Sequence, residues 1–215
     1  LADGNHTWQV RIVDNASNTN VTSATFAVIP PTVPDTTPPE LTETITPTPN
    51  ANGWNNTNVV VHFTATDTES GVAYVTPDVT LTNEGADQIV EGLAIDNAGN
   101  TNFTSVVVSI DKTPPSVAGF PSESDIVCRA QPPFLPRYSD ELSGVDTASL
   151  HVELDSDDVS AGFERFAKGA LFSPTSALAE GSHAWVITVS DLAGNTVEAS
   201  ASFSVSSDSD CPSIS

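Results

Sequence analysis

The chain has 215 residues and sets 28 acidic side chains against six basic ones, a formal charge of −22 at neutral pH. With two Lys and four Arg it lacks the cationic surface that phosphate backbones and anionic lipids need, so nucleic acid and direct membrane insertion are not expected of it. No stretch is long and apolar enough to span a bilayer, no signal peptide stands at Leu1, and the acidity favours attraction for cations.

Residues 1–29 begin with two alternating segments joined through "DNASN" at 14–18. Residues 30–39 are a proline-rich linker containing "DTTPPE". A first complete unit then spans 40–111. It opens on "PPELTETITPTP", an edge strand by its prolines, which cannot donate to a ladder. "NVVVHFTATD" follows, with Val59, Val61, Phe63 and Ala65 on one face and Val60, His62, Thr64 and Thr66 on the other. A short strand near "VAYV", strands through "DVTLTNEG" and a hairpin closed by "DNAGN" at 96–100 complete it. The linker 112–115 lies in "DKTPPS", and the last unit, 116–211, repeats the order through "PPSVAGF", "PPFLPRYSDELSG", "SLHVELDSDD", "GALFSP" and a hairpin closed by "DLAGN" at 191–195.

Residues 1–29 align without a gap on 178–206. Leu1, Gly4, His6, Trp8, Asp14, Asn18, Phe26 and Val28 recur as Leu178, Gly181, His183, Trp185, Asp191, Asn195, Phe203 and Val205. One structural unit has been duplicated. In the shared turn, Gly tolerates a positive φ and the Asp and Asn side chains bond nearby backbone groups. No window carries a helical period, so short strands between turn signals predict antiparallel β-sandwiches of about 75 to 95 residues each. A lone hairpin is marginal in water. The 1–29 segment is therefore expected to be part of a longer array or to take its covering strands from a neighbouring chain, and core or edge packing is expected for Trp8 and Trp185.

Cys128 and Cys211 stand at the two ends of the last unit without a Cys-x-x-Cys. They read as a disulfide in a Ser/Thr-rich extracellular chain, the alternative being two free thiols. Asn-x-Ser/Thr triplets at Asn5, Asn15, Asn20, Asn55 and Asn102 are glycan acceptors if the producing cell uses them. The four His are dispersed, and no metalloprotease spacing, nucleophile elbow or phosphate-binding glycine loop is present. Catalysis is not expected.

"GWNNTNVVVHFTATDTESGVAYV", "DNAGNT" and "DKTPP" resemble the tandem immunoglobulin-like repeats of large bacterial and archaeal cell-surface proteins, and the last unit resembles a second subtype of that class. The resemblance implies an all-β rod of tandem antiparallel immunoglobulin-like sandwiches joined end to end, secreted and non-catalytic. It also implies that the loop after the second strand, the last hairpin turn and the incoming linker meet at one end. That would gather Asp35, Asp67, Glu69 and Asp96 with Asn97 or Asn100 at one junction. At the next it would gather Asp111, Asp140, Glu141 and Asp191 with Asn195. Calcium takes six to eight oxygen ligands, so either set suits it; the same residues also serve as turn caps that need no ion. The functional expectation is an extracellular structural protein, subunit or stalk of a filament, surface layer or adhesin shaft, whose partners are copies of itself or neighbouring immunoglobulin-like domains. A ligand-binding adhesin module, or an accessory region of a large secreted enzyme, is the alternative.

Overall fold

The computed structural model describes residues 2–29, 33–118, 121 and 125–206. The chain divides into two compact units, Leu1–Thr37 and Pro38–Ser215.

In the first unit β1 (Gly4–Val13) pairs antiparallel with β2 (Thr19–Val28), in register from Gly4 opposite Val28 to Val13 opposite Thr19. The turn is closed by Asp14, whose Oδ1 accepts from the Ala16 and Asn18 amides while its Oδ2 accepts from the Asn18 side chain at 2.8 Å. Those three bonds hold the Asp14 carboxyl below the usual carboxylate pKa, the Asn18 side chain contributing most. Packing departs from expectation here. Trp8 is exposed, because among the described residues this sheet has two strands and no second layer.

The second unit holds two sandwiches. The first contains β3 (Glu40–Thr46), β4 (Trp54–Asn55), β5 (Val59–Thr66), β6 (Val72–Val75), β7 (Val79–Leu81), β8 (Gly85–Asp96) and β9 (Thr101–Ile110). They form two sheets, β3-β5-β7 and β4-β9-β8-β6, all pairs antiparallel except β4 with β9. Alternation along β5 buries Val59, Val61 and Phe63, which meet Val90, Val108 and Ile110 in one core. The expected proline-limited edge strand is β3, at one end of its sheet.

The next sandwich contains β10 (Ser116–Ala118), β11 (Ile126–Val127), β12 (Arg137–Ser139), β13 (Val145–Leu154), β14 (Asp157–Asp158), β15 (Glu164–Phe166), β16 (Gly169–Leu171), β17 (Gly181–Asp191) and β18 (Thr196–Val205). Its sheets run β10-β12-β16-β15 and β11-β18-β17-β13-β14, again with one parallel pair, β11 on β18. Trp185, Ile187, Val189, Phe203 and Val205 from the long hairpin pack on Phe134, Tyr138 and Ala170 of the facing segments. A short 3-10 turn, Ser160–Gly162, interrupts the strands without any periodic signal in sequence. In both sandwiches the sheets face each other with an immunoglobulin-like strand order, so the chain is all-β with tandem immunoglobulin-like modules.

Within the acidic run at 155–158, Asp155 and Ser156 form a two-residue hairpin turn between β13 and β14. Asp155 and Ser156 both have positive φ, the conformation that matches strand twist. Asp155 does more than turn the chain: its Oδ2 lies 2.6 Å from His183 Nδ1, and its Oδ1 accepts from the Ala184 amide at 2.9 Å. His183 Nε2 reaches the Ala179 carbonyl at 2.8 Å, so both ring nitrogens face acceptors and the charged ring satisfies both. Burial opposes the charge, but the Ala179 carbonyl and Asp155 outweigh it and raise the His183 pKa above its ordinary 6.5. Burial likewise opposes ionised Asp155, and the bonds from His183 and Ala184 outweigh it and hold that carboxyl below 3.8.

Two outcomes follow from these contacts. The histidine's contribution is complete below about pH 6.5 and is lost as pH rises through its raised folded value; the aspartate's is complete above about pH 4 and is lost below its lowered one. Melting at pH 5.5 and pH 8.5 should show a loss of roughly 2 to 4 °C that His183→Gln lacks. An equal pH response in the variant would remove the pair from the account. Gly92 lies on β8 where an added Cβ would fall 2.3 Å from the Phe63 ring; Gly92→Ala should cost about 1 to 3 kcal/mol in denaturant unfolding.

Candidate cation site at the junction of the two sandwiches

Three chain segments converge where the two sandwiches meet. Asp111 follows β9, and its amide donates to the Asn55 carbonyl at 2.9 Å, which fixes the start of the linker on the first sandwich. Asp140 opens the turn after β12, where its Oδ1 accepts from the Leu142 and Gly144 amides at 3.1 and 2.7 Å. Gly144 supplies the positive φ of 81° that this turn needs. Asp191 ends β17, and its Oδ1 accepts from the Gly194 and Asn195 amides at 2.7 and 2.9 Å.

The Asp111 Oδ1 likewise accepts from the Thr113 amide at 3.1 Å, so each carboxylate is aimed by its own turn, and the three meet. One oxygen of each of Asp111, Asp140 and Asp191 lies within 4.8 Å of the others. Asp111 is fully buried and Asp191 is 3% exposed. Among the described residues none of the three is in an ion pair. Lys112, next in sequence, points away, its Nζ 2.6 Å from Asn58 Oδ1 and from the Thr82 carbonyl. Two unit charges at such a separation repel by about 3.5 kcal/mol at an effective dielectric near 20. A divalent cation would reverse that sign. Beside the cluster a cleft of about 340 Å³ is lined by Glu84, Asp111, Asp140 and Glu141 among others.

The expected members take different positions. Asp111, Asp140 and Asp191 come together; Glu141 is exposed and lines the cleft beside them. Asn195 acts as a donor, its Nδ2 bonding Asp191 Oδ2 at 2.8 Å and the Asp111 carbonyl at 2.9 Å. Residues without a local motif complete the junction. The Ser143 amide donates to Asp111 Oδ2 at 3.0 Å, and the Asn50 and Asn52 side chains donate to the Leu192 carbonyl at 2.8 and 3.0 Å. Asparagine-rich "NANGWNN" at 50–56 was the only available signal for the last two.

The first sandwich repeats the local geometry. Asp67 caps Glu69, Ser70 and Gly71 through Oδ1, while Asp96 accepts from the Asn100 amide and side chain at 2.8 and 2.7 Å. Asp67 and Asp96 approach within 4.8 Å. Asn97 donates instead to the Ser70 and Gly71 carbonyls, and Glu69 is exposed. Asp35 belongs to the other compact unit, where its Oδ1 accepts from the Thr37 amide at 2.9 Å.

Of the sequons, Asn5, Asn15 and Asn20 are exposed, Asn102 is half-buried with its side chain on the Pro39 carbonyl, and Asn55 is buried, closed to a glycan in the folded module. Cys128 carries no free thiol, and Cys211 lies outside the described residues. Ser160, His151 and Glu153 form a chain of contacts, with Ser160 Oγ 3.1 Å from His151 Nδ1 and His151 Nε2 3.3 Å from Glu153. The serine hydroxyl is already spent, since it donates to Asp158 Oδ1 at 2.5 Å and accepts from the Val152 amide at 2.8 Å. Those bonds fasten β14 and the 3-10 turn to β13, which is a structural use.

No curated protein matches the sequence. Among solved structures, fibronectin(III)-like modules of CbhA from Clostridium thermocellum are 14% identical, covering 76% of this chain and 94% of that one, at a TM-score of 0.34. An I-band fragment of titin is 13% identical over 71% of this chain and 61% of its own, at 0.43. A Ca2+-stabilized ice-binding adhesin of an Antarctic bacterium is 17% identical over 94% and 57%, at 0.37. None of these likenesses is strong enough to carry function across. Residues 119–209 match the family model described as the bacterial Ig-like domain, and residues 40–110 share its two-layer immunoglobulin-like arrangement.

Proposed function

We propose that this chain is an extracellular structural segment, a run of immunoglobulin-like modules serving as the shaft of a cell-surface assembly, whose module junction is stiffened by calcium held at Asp111, Asp140 and Asp191. The convergence of three carboxylates from three segments, two of them buried and none paired with a cationic side chain among the described residues, carries the reading. A turn cap needs only one oxygen aimed at its own backbone. It does not require three such carboxylates to meet.

The ion would do mechanical work. Asp111 is the last residue of the first sandwich, whereas Asp140 and Asp191 belong to the second, so one cation bound by all three couples the end of one module to the next. The direct bonds from Ser143, Asn195, Asn50 and Asn52 already set that geometry, and the cation would remove the repulsion that opposes it. A surface location is supported by the acidity and the absence of a free thiol at Cys128, which we pair with Cys211. Glycans, where the producing cell adds them, belong on the exposed Asn5, Asn15 and Asn20. Neighbouring immunoglobulin-like modules are the expected partners.

Thermal melting and isothermal titration with calcium test the reading. Calcium at 100 times its Kd should stabilise by about 2.7 kcal/mol, a rise of roughly 5 to 10 °C for a unit of this size, and chelator should reverse it. An unchanged transition together with a flat titration would rule the ion out. Asp140→Asn separates the two uses of the carboxylates, because its amide oxygen can still cap Leu142 and Gly144. In chelator this variant should be more stable than the parent through relieved repulsion. In calcium it should be less stable.

A further inference from the structure

The two copies of the long hairpin give the same residues opposite fates. β1 and β2 reproduce the register of β17 and β18: His6 opposite Phe26 and Trp8 opposite Ala24 match His183 opposite Phe203 and Trp185 opposite Ala201. Even the ring contact recurs, with centroids 5.6 Å apart in both pairs. Trp185, Ile187, Val189 and Phe203 are 6%, 0%, 0% and 1% exposed, whereas Trp8, Val10, Ile12 and Phe26 are 47%, 43%, 64% and 43% exposed. A face of this composition on one side of a sheet marks an interaction surface.

What covers that face in the last module is known in detail. Phe134, Tyr138 and Ala170 lie over it, β13 extends the sheet along the outer edge of β17, and β11 runs along β18. The β13–β14 turn then delivers Asp155 to His183. Among the described residues the outer edges of β1 and β2 are unpaired. His6 already makes the equivalent of the Ala179 bond, from Nε2 to the Ala2 carbonyl, but among the described residues no carboxylate pairs with it.

We propose that the Trp8, Val10, Ile12 and Phe26 face of the hairpin docks a half-sandwich polypeptide of the kind formed by residues 116–177, which adds a strand along β1 and places a carboxylate on His6. The charge complementarity is specific, since the edge strand of the occupant must end in an acidic turn, as β13 does. A second hairpin stacked face to face is a poorer occupant. Two strands of ten residues offer a face of roughly 33 by 10 Å, so two copies would bury only about 700 Å², short of the roughly 1,200 Å² of a stable interface. Such a pair would also leave both sheet edges open.

The gap-free alignment provides the experiment. A copy of residues 116–177 is fused directly before Leu1 of the full chain, so that the junction reproduces the one between 177 and 178. Hydrogen exchange of residues 4–28 and the His6 pKa by NMR are read in the fused and unfused chains. The expected result is slowing of the β1 and β2 amides by at least 100-fold and a raised His6 pKa. Asp155→Asn in the added copy should cancel the His6 shift while leaving the amides protected. A control carrying residues 178–206 in place of 1–29 shows whether the fused segment folds in this setting. Protected control amides with unprotected amides in the test chain would overturn the proposal. So would a concentration-dependent dimer of the unfused chain that protects residues 4–28 and is abolished by Trp8→Asp, because a second copy would then be the occupant.

Discussion

Everything at the ends of these modules depends on one interaction, an aspartate carboxylate accepting backbone N–H groups of the turn that follows it. Asp14, Asp96 and Asp191 do this for the three long hairpins, each also held by the side chain of an asparagine four residues on. Asp67 and Asp140 do it for the turns after β5 and β12. These bonds fix a single direction for each carboxylate. Aimed carboxylates on neighbouring loops cannot avoid one another as free side chains would, so the same chemistry that closes the turns concentrates negative charge at the junction.

That concentration explains how cations are used elsewhere. The chain has six Lys and Arg, and the two in best-defined contacts serve carbonyls and amides: Lys112 bonds Asn58 and Thr82, and Arg165 bonds the carbonyls of Leu150 and Ser160. The ion pairs among the described residues involve histidine alone. Histidine and aspartate at the far end of β17 thus provide a charge-compensated contact, while the near end keeps three acids together. One strand carries both environments.

The all-β class and the long hairpins were legible in sequence because a pleated sheet with one buried face writes itself as alternation, as in Val59, Val61 and Phe63, and because Asp-x-Ala-Gly-Asn is a turn whatever surrounds it. The meeting of Asp111, Asp140 and Asp191 follows from their loops sharing one end of a sandwich. Side-chain direction was not legible. Asn97 and Asn195 stand at the second and fifth positions of the same turn motif in different copies, and each donates its amide to a carbonyl from a distant segment. The Asn50 and Asn52 contacts join residues about 140 positions apart and leave no local pattern. The exposure of Trp8 also escaped the sequence, because alternation reports which face is apolar and says nothing of whether a second layer lies over it.

Each sandwich contains one short parallel pair, Trp54 and Asn55 of β4 on β9, and Ile126 and Val127 of β11 on β18. In each case the strand near the start of a module lies beside the strand that ends it, and the two point the same way. Tension applied to the two ends of such a module pulls these neighbours past each other along their length. The bridging hydrogen bonds are then loaded together and must fail together, whereas an antiparallel pair pulled from its open end gives way one bond at a time. Two residues of parallel pairing thereby tie the entry side of the module to its last strand, and under tension resistance to extension becomes a matter of unfolding rate rather than of equilibrium stability.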